Sequence, residues 1–229
     1  MPTTPPAHPP SPAVEDYAKA IYALTGARAE TASTNDLAQR LGVTAGSVSA
    51  MLRKLAEAGL VEHVPYRGVA LTAEGQQVAL RVLRRHRLLE LFLAEMLEVP
   101  WDRVHAEAEI LEHALSEDLT EDIARKLGHP TLDPHGDPIP SRDLVVDERP
   151  TEALSELEPG ATATLVRVSD SDPRMLTYLS TLGIAVGTTL EMVAREPFDG
   201  PCVVRVAGRA HALGLPLVRA MRVRGQAQP

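Results

Sequence analysis

A chain of 229 residues, 44% of them apolar and 24% charged, has material for two or three small domains with ordinary cores and should fold as a soluble protein. It holds no run of about 18 uncharged apolar residues, and its opening Met1-Pro-Thr-Thr-Pro-Pro lacks the basic start and apolar middle of a secretory signal, so no membrane partner is expected and the cytoplasm is the default compartment. The net charge of −8 argues against a uniformly basic nucleic-acid coat, and 3% aromatic residues argue against base-stacking platforms for single strands.

The charge is unevenly spread. Between Val14 and Ala70 six Lys or Arg balance six acids, so the acid excess lies downstream and a basic face remains available. The first 12 residues hold six prolines and almost nothing apolar, and residues 1–13 are expected to be a disordered tail because burial cannot offset their ordering entropy. Val14, Tyr17, Ala18, Ile21, Tyr22 and Leu24 then recur at helical spacing, and Gly26 stops the helix. From Ser33 to Leu60 two short helical patterns flank a turn. Ser33 or Thr34 caps the first and Gly42 breaks it; Thr44 caps the second, which buries Val48, Met51, Leu52 and Leu55 and ends at Gly59. Val61 to Thr72 reads as two strands joined by a turn at Pro65 to Gly68. Helix, helix, helix, hairpin is the order of a winged helix-turn-helix, here over 14–72.

A long helical pattern runs from Ala73 to Met96, and another from about Asp102 to Leu127, with a break expected near Ser116. Their apolar stripes suit a dimer interface, so 73–142 is expected to be a helical dimerisation and metal-binding domain, followed by a linker over 143–153. Segments 162–168, 188–194, 202–206 and 218–223 alternate like strands, which predicts a small five-stranded SH3-like β-barrel over 154–226, with a short helix around Arg174 to Leu182. Cys202, the lone cysteine, reads as a packing residue in one of these strands. The fold class is therefore α+β.

The chemistry concentrates in His105-Ala-Glu-Ala-Glu-Ile-Leu-Glu-His113. On a helix His105, Glu109, Glu112 and His113 fall within a sector of roughly 100°, beside the apolar stripe of Val104, Ala108, Leu111 and Leu115. Such a face lies at the edge of a core and suits a metal site, although a structural ion-pair network is the alternative. His86 and Glu90, at i and i+4, share a face of the preceding helix, and two such helices could bring His86, Glu90 and His105 together; a surface pair among arginines is the other reading.

Enzymatic metal sites fit poorly. A di-iron carboxylate bundle needs Glu-x-x-His on two helices, yet residue 110 is Ile and residue 83 is Leu. The His-Glu-x-x-His of a zincin and a phosphate-binding glycine loop are also missing, and there is no nucleophile and base arrangement for a hydrolase, so an enzyme is not expected.

Together, Glu15-Asp-Tyr-Ala-Lys-Ala-Ile-Tyr22, the helix-turn-helix, Tyr66-Arg-Gly, Arg85-His-Arg-Leu-Leu-Glu90, Val104 to His113 and Asp133-Pro-His-Gly-Asp-Pro-Ile-Pro140 resemble the diphtheria toxin repressor family of metal-dependent regulators, with a C-terminal SH3-like, FeoA-like domain. The resemblance implies a primary metal site of Asp16, Glu109, Glu112 and His113 and an ancillary site of His86, Glu90 and His105, to which the barrel would add Asp172 and, less well, Met175; an ordinary cap for the short helix explains Asp172 equally well. Iron-type members carry a methionine on the first helix and a cysteine where Glu109 stands, so the resemblance is to the manganese type. Hard carboxylate oxygens suit manganese, with ferrous iron as the alternative and zinc or cadmium as surrogates in vitro. Lys19 stands where some two-domain manganese regulators have a further glutamate, so a binuclear centre of that kind is not implied.

The resemblance further implies a homodimeric repressor of metal homeostasis on double-stranded DNA, with recognition helices in successive major grooves of a palindromic operator. Metal would lock the DNA-binding domain onto the dimerisation domain. Thr44, Gly46, Ser47, Ser49 and Ala50 are the candidates near bases or backbone, and Arg53, Lys54, Tyr66 and Arg67 those near phosphates; Ser47 and Ser49 read equally well as plain exposed helix residues. A winged-helix regulator of a non-metal signal is the second reading.

Overall fold

The computed structural model describes residues 10–26, 31–64 and 67–225. The proline-rich start up to residue 9, the wing residue Tyr66 and the last four residues lie outside them. The chain divides into two compact units, residues up to 85 with 142–144, and residues 86–141 with those from 145 onward.

In the first unit α1 (Pro12–Thr25) starts two residues before the expected Val14, because Pro12 sits at a first helical position where its missing N–H costs nothing. The helices α2 (Thr34–Leu41) and α3 (Ala45–Glu57) follow the capping signals: Ser33 accepts the Asp36 N–H and Thr44 the Ser47 N–H. Tyr17, Ala18 and Ile21 of α1, Leu37 of α2 and Val48, Leu52 and Leu55 of α3 close one core. The wing strands β1 (Val61–Val64) and β2 (Gly68–Leu71) pair antiparallel, and Val69 exchanges both backbone bonds with Ala32. Gly68 makes this possible: at φ +116° its Cα faces the Ala32 carbonyl so closely that a Cβ would sit 2.2 Å from the oxygen.

The helix α4 (Ala73–Leu97) runs from the first unit into the second. In the second unit α5 (Val104–Leu111) passes into a single 3-10 turn at Glu112–Ala114, and Ser116 then caps α6 (Glu117–Lys126). The expected break is thus real, and its cause is the Ser116 hydroxyl taking the Leu119 N–H. Leu88, Leu89, Leu91, Ala108, Ile123, Ala124 and Ile139 form the helical core.

The barrel is one strand richer than expected. β3 (Glu152–Ala153), β4 (Thr162–Val168), β5 (Thr189–Arg195), β6 (Cys202–Val206), β7 (Arg209–Leu213) and β8 (Met221–Gly225) form an antiparallel sheet in the order β3-β8-β4-β5-β6-β7, and α7 (Pro173–Thr181) lies between β4 and β5. Residues 218–220, expected in a strand, end α8 (Leu215–Ala220) instead, because Pro216 starts a helix there and β8 begins only at Met221. Cys202 is fully buried among Leu165, Leu190, Val204 and Leu213, as a packing residue should be.

Candidate metal centre

Helical periodicity alone puts His86 and Glu90 on one face of α4, and there His86 Nε2 lies 2.9 Å from Glu90 Oε1. His105, in the first turn of α5, brings Nδ1 to 3.1 Å from both of those atoms. Asp170, just past the end of β4, adds Oδ2 at 3.0 Å from the same His105 nitrogen. Two imidazoles and two carboxylates therefore converge from α4, α5 and the barrel.

The other nitrogen of His86 faces the 109–113 stretch. Nδ1 is 2.5 Å from Glu112 Oε2 and 3.9 Å from Glu109 Oε1. Glu109 Oε1 is also 3.7 Å from His105 Nε2, and His113 Nε2 lies 3.5 Å from Glu112 Oε1. All six residues expected on these two helices thus share one neighbourhood, with Glu112 fully buried in the 3-10 turn and the Glu109 side chain 42% exposed. Asp16, the remaining expected ligand, is half-buried on α1.

A further group was not expected. Glu90, Asp133 and His135 are all buried and offer ligand atoms within 4.8 Å of one another. Asp133 Oδ1 accepts the N–H groups of His135 and Asp137, both at 2.9 Å, which turns the chain so that the His135 ring enters the cluster. His135 Nε2 donates to the Trp101 carbonyl at 2.7 Å, and in the neutral ring that bond leaves a bare lone pair on Nδ1. Nδ1 lies 3.8 Å from Glu90 Oε2, and both atoms are buried without a hydrogen-bond partner among the described residues. A cation is the group that satisfies an imidazole lone pair and a carboxylate oxygen together, so the residues present fit a divalent metal.

Protons can supply positive charge to the same imidazoles. Burial opposes charging His105, but Asp170 and Glu90 outweigh it and hold the imidazolium up to about 10. Burial likewise opposes charging His135, and Glu90 raises it to about 9. Burial alone would push the Glu90 carboxyl up, yet the imidazoles of His105, His135 and His86 pull it well below the usual carboxylate range. Asp133 is pushed well up by burial and by the Asp137 and Glu90 carboxylates.

Comparison with known proteins bears on this geometry. Residues 11–69 match the iron-dependent repressor N-terminal DNA-binding domain, 72–141 the iron-dependent repressor metal-binding and dimerisation domain, and 153–225 the FeoA domain. The chain is 37% identical over 115 residues to the transcriptional regulator MntR of Lysinibacillus sphaericus, covering 50% of this chain and 81% of that one. It belongs to the iron-dependent repressor family, that of the diphtheria toxin repressor. The iron-dependent repressor IdeR of Mycobacterium tuberculosis is 35% identical over 161 residues, 68% of this chain but 64% of that protein's own length. A solved manganese-dependent transcriptional repressor in complex with manganese is 43% identical, with a TM-score of 0.87 over 93% of this chain and all of that one. ScaR with bound cadmium superposes with a TM-score of 0.81 at 30% identity, covering 94% of this chain and 99% of that one.

The structure gives the barrel candidate Asp172 the cap role and brings a neighbouring aspartate to His105 instead. Asp172 caps α7 by accepting the Arg174 N–H and is held by the Arg174 guanidinium at 2.7 Å, so it is spent locally; Asp170 is the barrel carboxylate that reaches His105. Met175 packs half-buried against the barrel core. Asp170, Asp133 and His135 had no helical periodicity to mark them; the only signal was a histidine between two aspartates in a loop. On α3 and the wing, Thr44, Gly46, Ser47, Ser49, Ala50, Arg53, Lys54 and Arg67 are all exposed, while Tyr66 lies outside the described residues. The Thr44 and Ser49 hydroxyls have internal partners, at Ser47 and the Ala45 carbonyl.

Proposed function

We propose that this chain is a metal-activated, DNA-binding repressor of metal-ion homeostasis that acts as a homodimer in the cytoplasm. Asp16, Glu109, Glu112 and His113 form its primary metal set. Glu90, His135 and Asp133, with His86, His105 and Asp170, form a second. The observation that carries the reading is the pair of buried atoms Glu90 Oε2 and His135 Nδ1, which have no hydrogen-bond partner among the described residues and lie inside a cluster of carboxylates and imidazoles. A carboxylate-rich set without thiolate or thioether favours manganese, with ferrous iron second and zinc or cadmium as surrogates in vitro. A bound divalent cation supplies the positive charge and directional bonds that draw these ligands together. Ligation shared between Asp16 and the 109–113 set would favour one placement of the DNA-binding domain by the difference in cation affinity between placements, and by no more.

The DNA partner is a duplex, reached by the exposed start of α3 and by Arg53, Lys54 and Arg67, with Tyr66 proposed beside them; a palindromic operator follows from a two-fold dimer. Among the described residues no helix is long and apolar enough to cross a membrane.

The test is binding of the chelator-treated chain to its own upstream DNA, titrated with manganese, ferrous iron and zinc, for the wild type and Glu109→Ala. Binding that appears only with metal and is lost in the variant is the expected result. Equal binding with and without metal would overturn the proposal.

A further inference from the structure

The loop that carries Asp133 and His135 is tied down by two arginines and one carboxylate. Arg87, the residue after His86 on α4, donates from Nη1 to the Pro138 carbonyl at 2.5 Å and from Nη2 to Asp137 Oδ1 at 3.3 Å. Arg167 of β4 reaches the same Asp137 oxygen from the barrel, Nη1 to Oδ1 at 3.4 Å. The third arm of Arg87, Nε, is 3.6 Å from Asp133 Oδ2. Two guanidinium groups therefore stand beside a pocket read as a cation site, and one of them already leans on a ligand carboxylate. Unopposed, they would repel a divalent ion and compete with it for Asp133.

We propose that Asp137 is a positioning residue of the second metal pocket: it holds the guanidinium groups of Arg87 and Arg167, cancels their charge, and leaves Asp133 Oδ2 available to the cation. The proposal rests on the reading that Glu90, Asp133 and His135 bind a metal ion. Among the described residues the Asp137 side chain pairs with Arg87 and Arg167, so its influence passes through the arginines. Its own backbone N–H is satisfied by Asp133 Oδ1, a bond that Asp137→Asn keeps.

The experiment is a calorimetric titration of the full, metal-stripped chain with manganese, comparing the wild type, His135→Ala, Asp137→Asn, Arg167→Gln and Asp137→Asn with Arg167→Gln. His135→Ala identifies the class of binding that belongs to the second pocket. Asp137→Asn is expected to weaken that class by about 10- to 100-fold, the usual effect of losing a group behind the metal ligands. Adding Arg167→Gln should recover part of the loss, because it removes one of the uncompensated charges. If His135→Ala binds as the wild type does, the pocket itself is misread and the inference falls with it. If that class exists but Asp137→Asn leaves it unchanged, or the double variant recovers nothing, Asp137 has no charge-cancelling role. Should Asp137→Asn fail to fold, Arg167→Gln alone decides: tighter binding supports the proposal and equal or weaker binding overturns it.

Discussion

His135 Nδ1 and Glu90 Oε2 face each other across 3.8 Å of buried space, each without a hydrogen bond among the described residues. The gap is too long for a good hydrogen bond, so the attraction is chiefly that of an imidazolium for a carboxylate. His105 is held more closely, its Nδ1 at hydrogen-bonding distance from Glu90 Oε1, 3.1 Å, and from Asp170 Oδ2, 3.0 Å. Both imidazoliums hold their protons past neutrality, to about 9 for His135 and about 10 for His105.

Metal binding must release those protons, because an imidazole ligates only when neutral. The sign is fixed: at neutral pH both rings are charged, so raising the pH toward 9 favours the metal. Manganese affinity at the second pocket should rise by up to about tenfold per pH unit for each proton displaced. Titrations at several pH values, in buffers of different ionisation enthalpy, read the affinity and the proton count together, and a flat profile between pH 6.5 and 8 would contradict the ligand assignment.

Gly136 carries the loop past β4. It sits at φ +85°, and a Cβ there would lie 1.9 Å from the Val166 carbonyl oxygen, while the His135 carbonyl accepts the Val168 N–H at 2.9 Å. Gly136→Ala should therefore push the loop off the strand and destabilise the chain by about 2 kcal/mol or more, through strain and the lost bond together. Thermal melting of the metal-stripped protein measures this, and an unchanged melting temperature would show that the loop moves freely.

Arg53 and Arg67 are exposed on α3 and the wing. As phosphate partners they should affect all duplexes alike: Arg53→Ala or Arg67→Ala is expected to weaken metal-activated binding about equally on operator and unrelated DNA, and to lower the salt slope by about 1 each. Fluorescence anisotropy across a range of salt concentrations gives that slope. Loss confined to the operator would instead make the residue a base reader.

Ile110 on α5 is 73% exposed, next to Leu111 at 39%, and Leu119 on α6 is 48% exposed. Apolar side chains so open on a dimerisation domain are expected to be covered by the second copy. Ile110→Asp should leave the protomer folded, since the side chain is not in the core, but convert the dimer to monomer in sedimentation and abolish tight operator binding. A dimer that persists would place the interface elsewhere.

Local chemistry was sufficient for much of this protein. The caps at Ser33, Thr44 and Ser116 set helix starts through bonds spanning three residues, and the i, i+4 spacing of His86 and Glu90 put both on one face whatever the rest of the chain did. The sector of His105, Glu109, Glu112 and His113 was legible for the same reason, because a helix repeats every 3.6 residues. Tertiary structure decided what periodicity does not encode. Asp170 and Asp172 are two residues apart beyond the same strand, and only the path of the chain out of β4 turns one toward His105 and gives the other to the α7 cap. Asp133, His135 and Asp137 lie in a loop, where side-chain direction follows from nonlocal contacts: an aspartate turn, the Trp101 carbonyl, and arginines 50 residues earlier and 30 later in the chain. A helix carries its geometry within one turn of sequence, whereas a cluster of candidate metal ligands built from helix, loop and strand exists only once all three are packed.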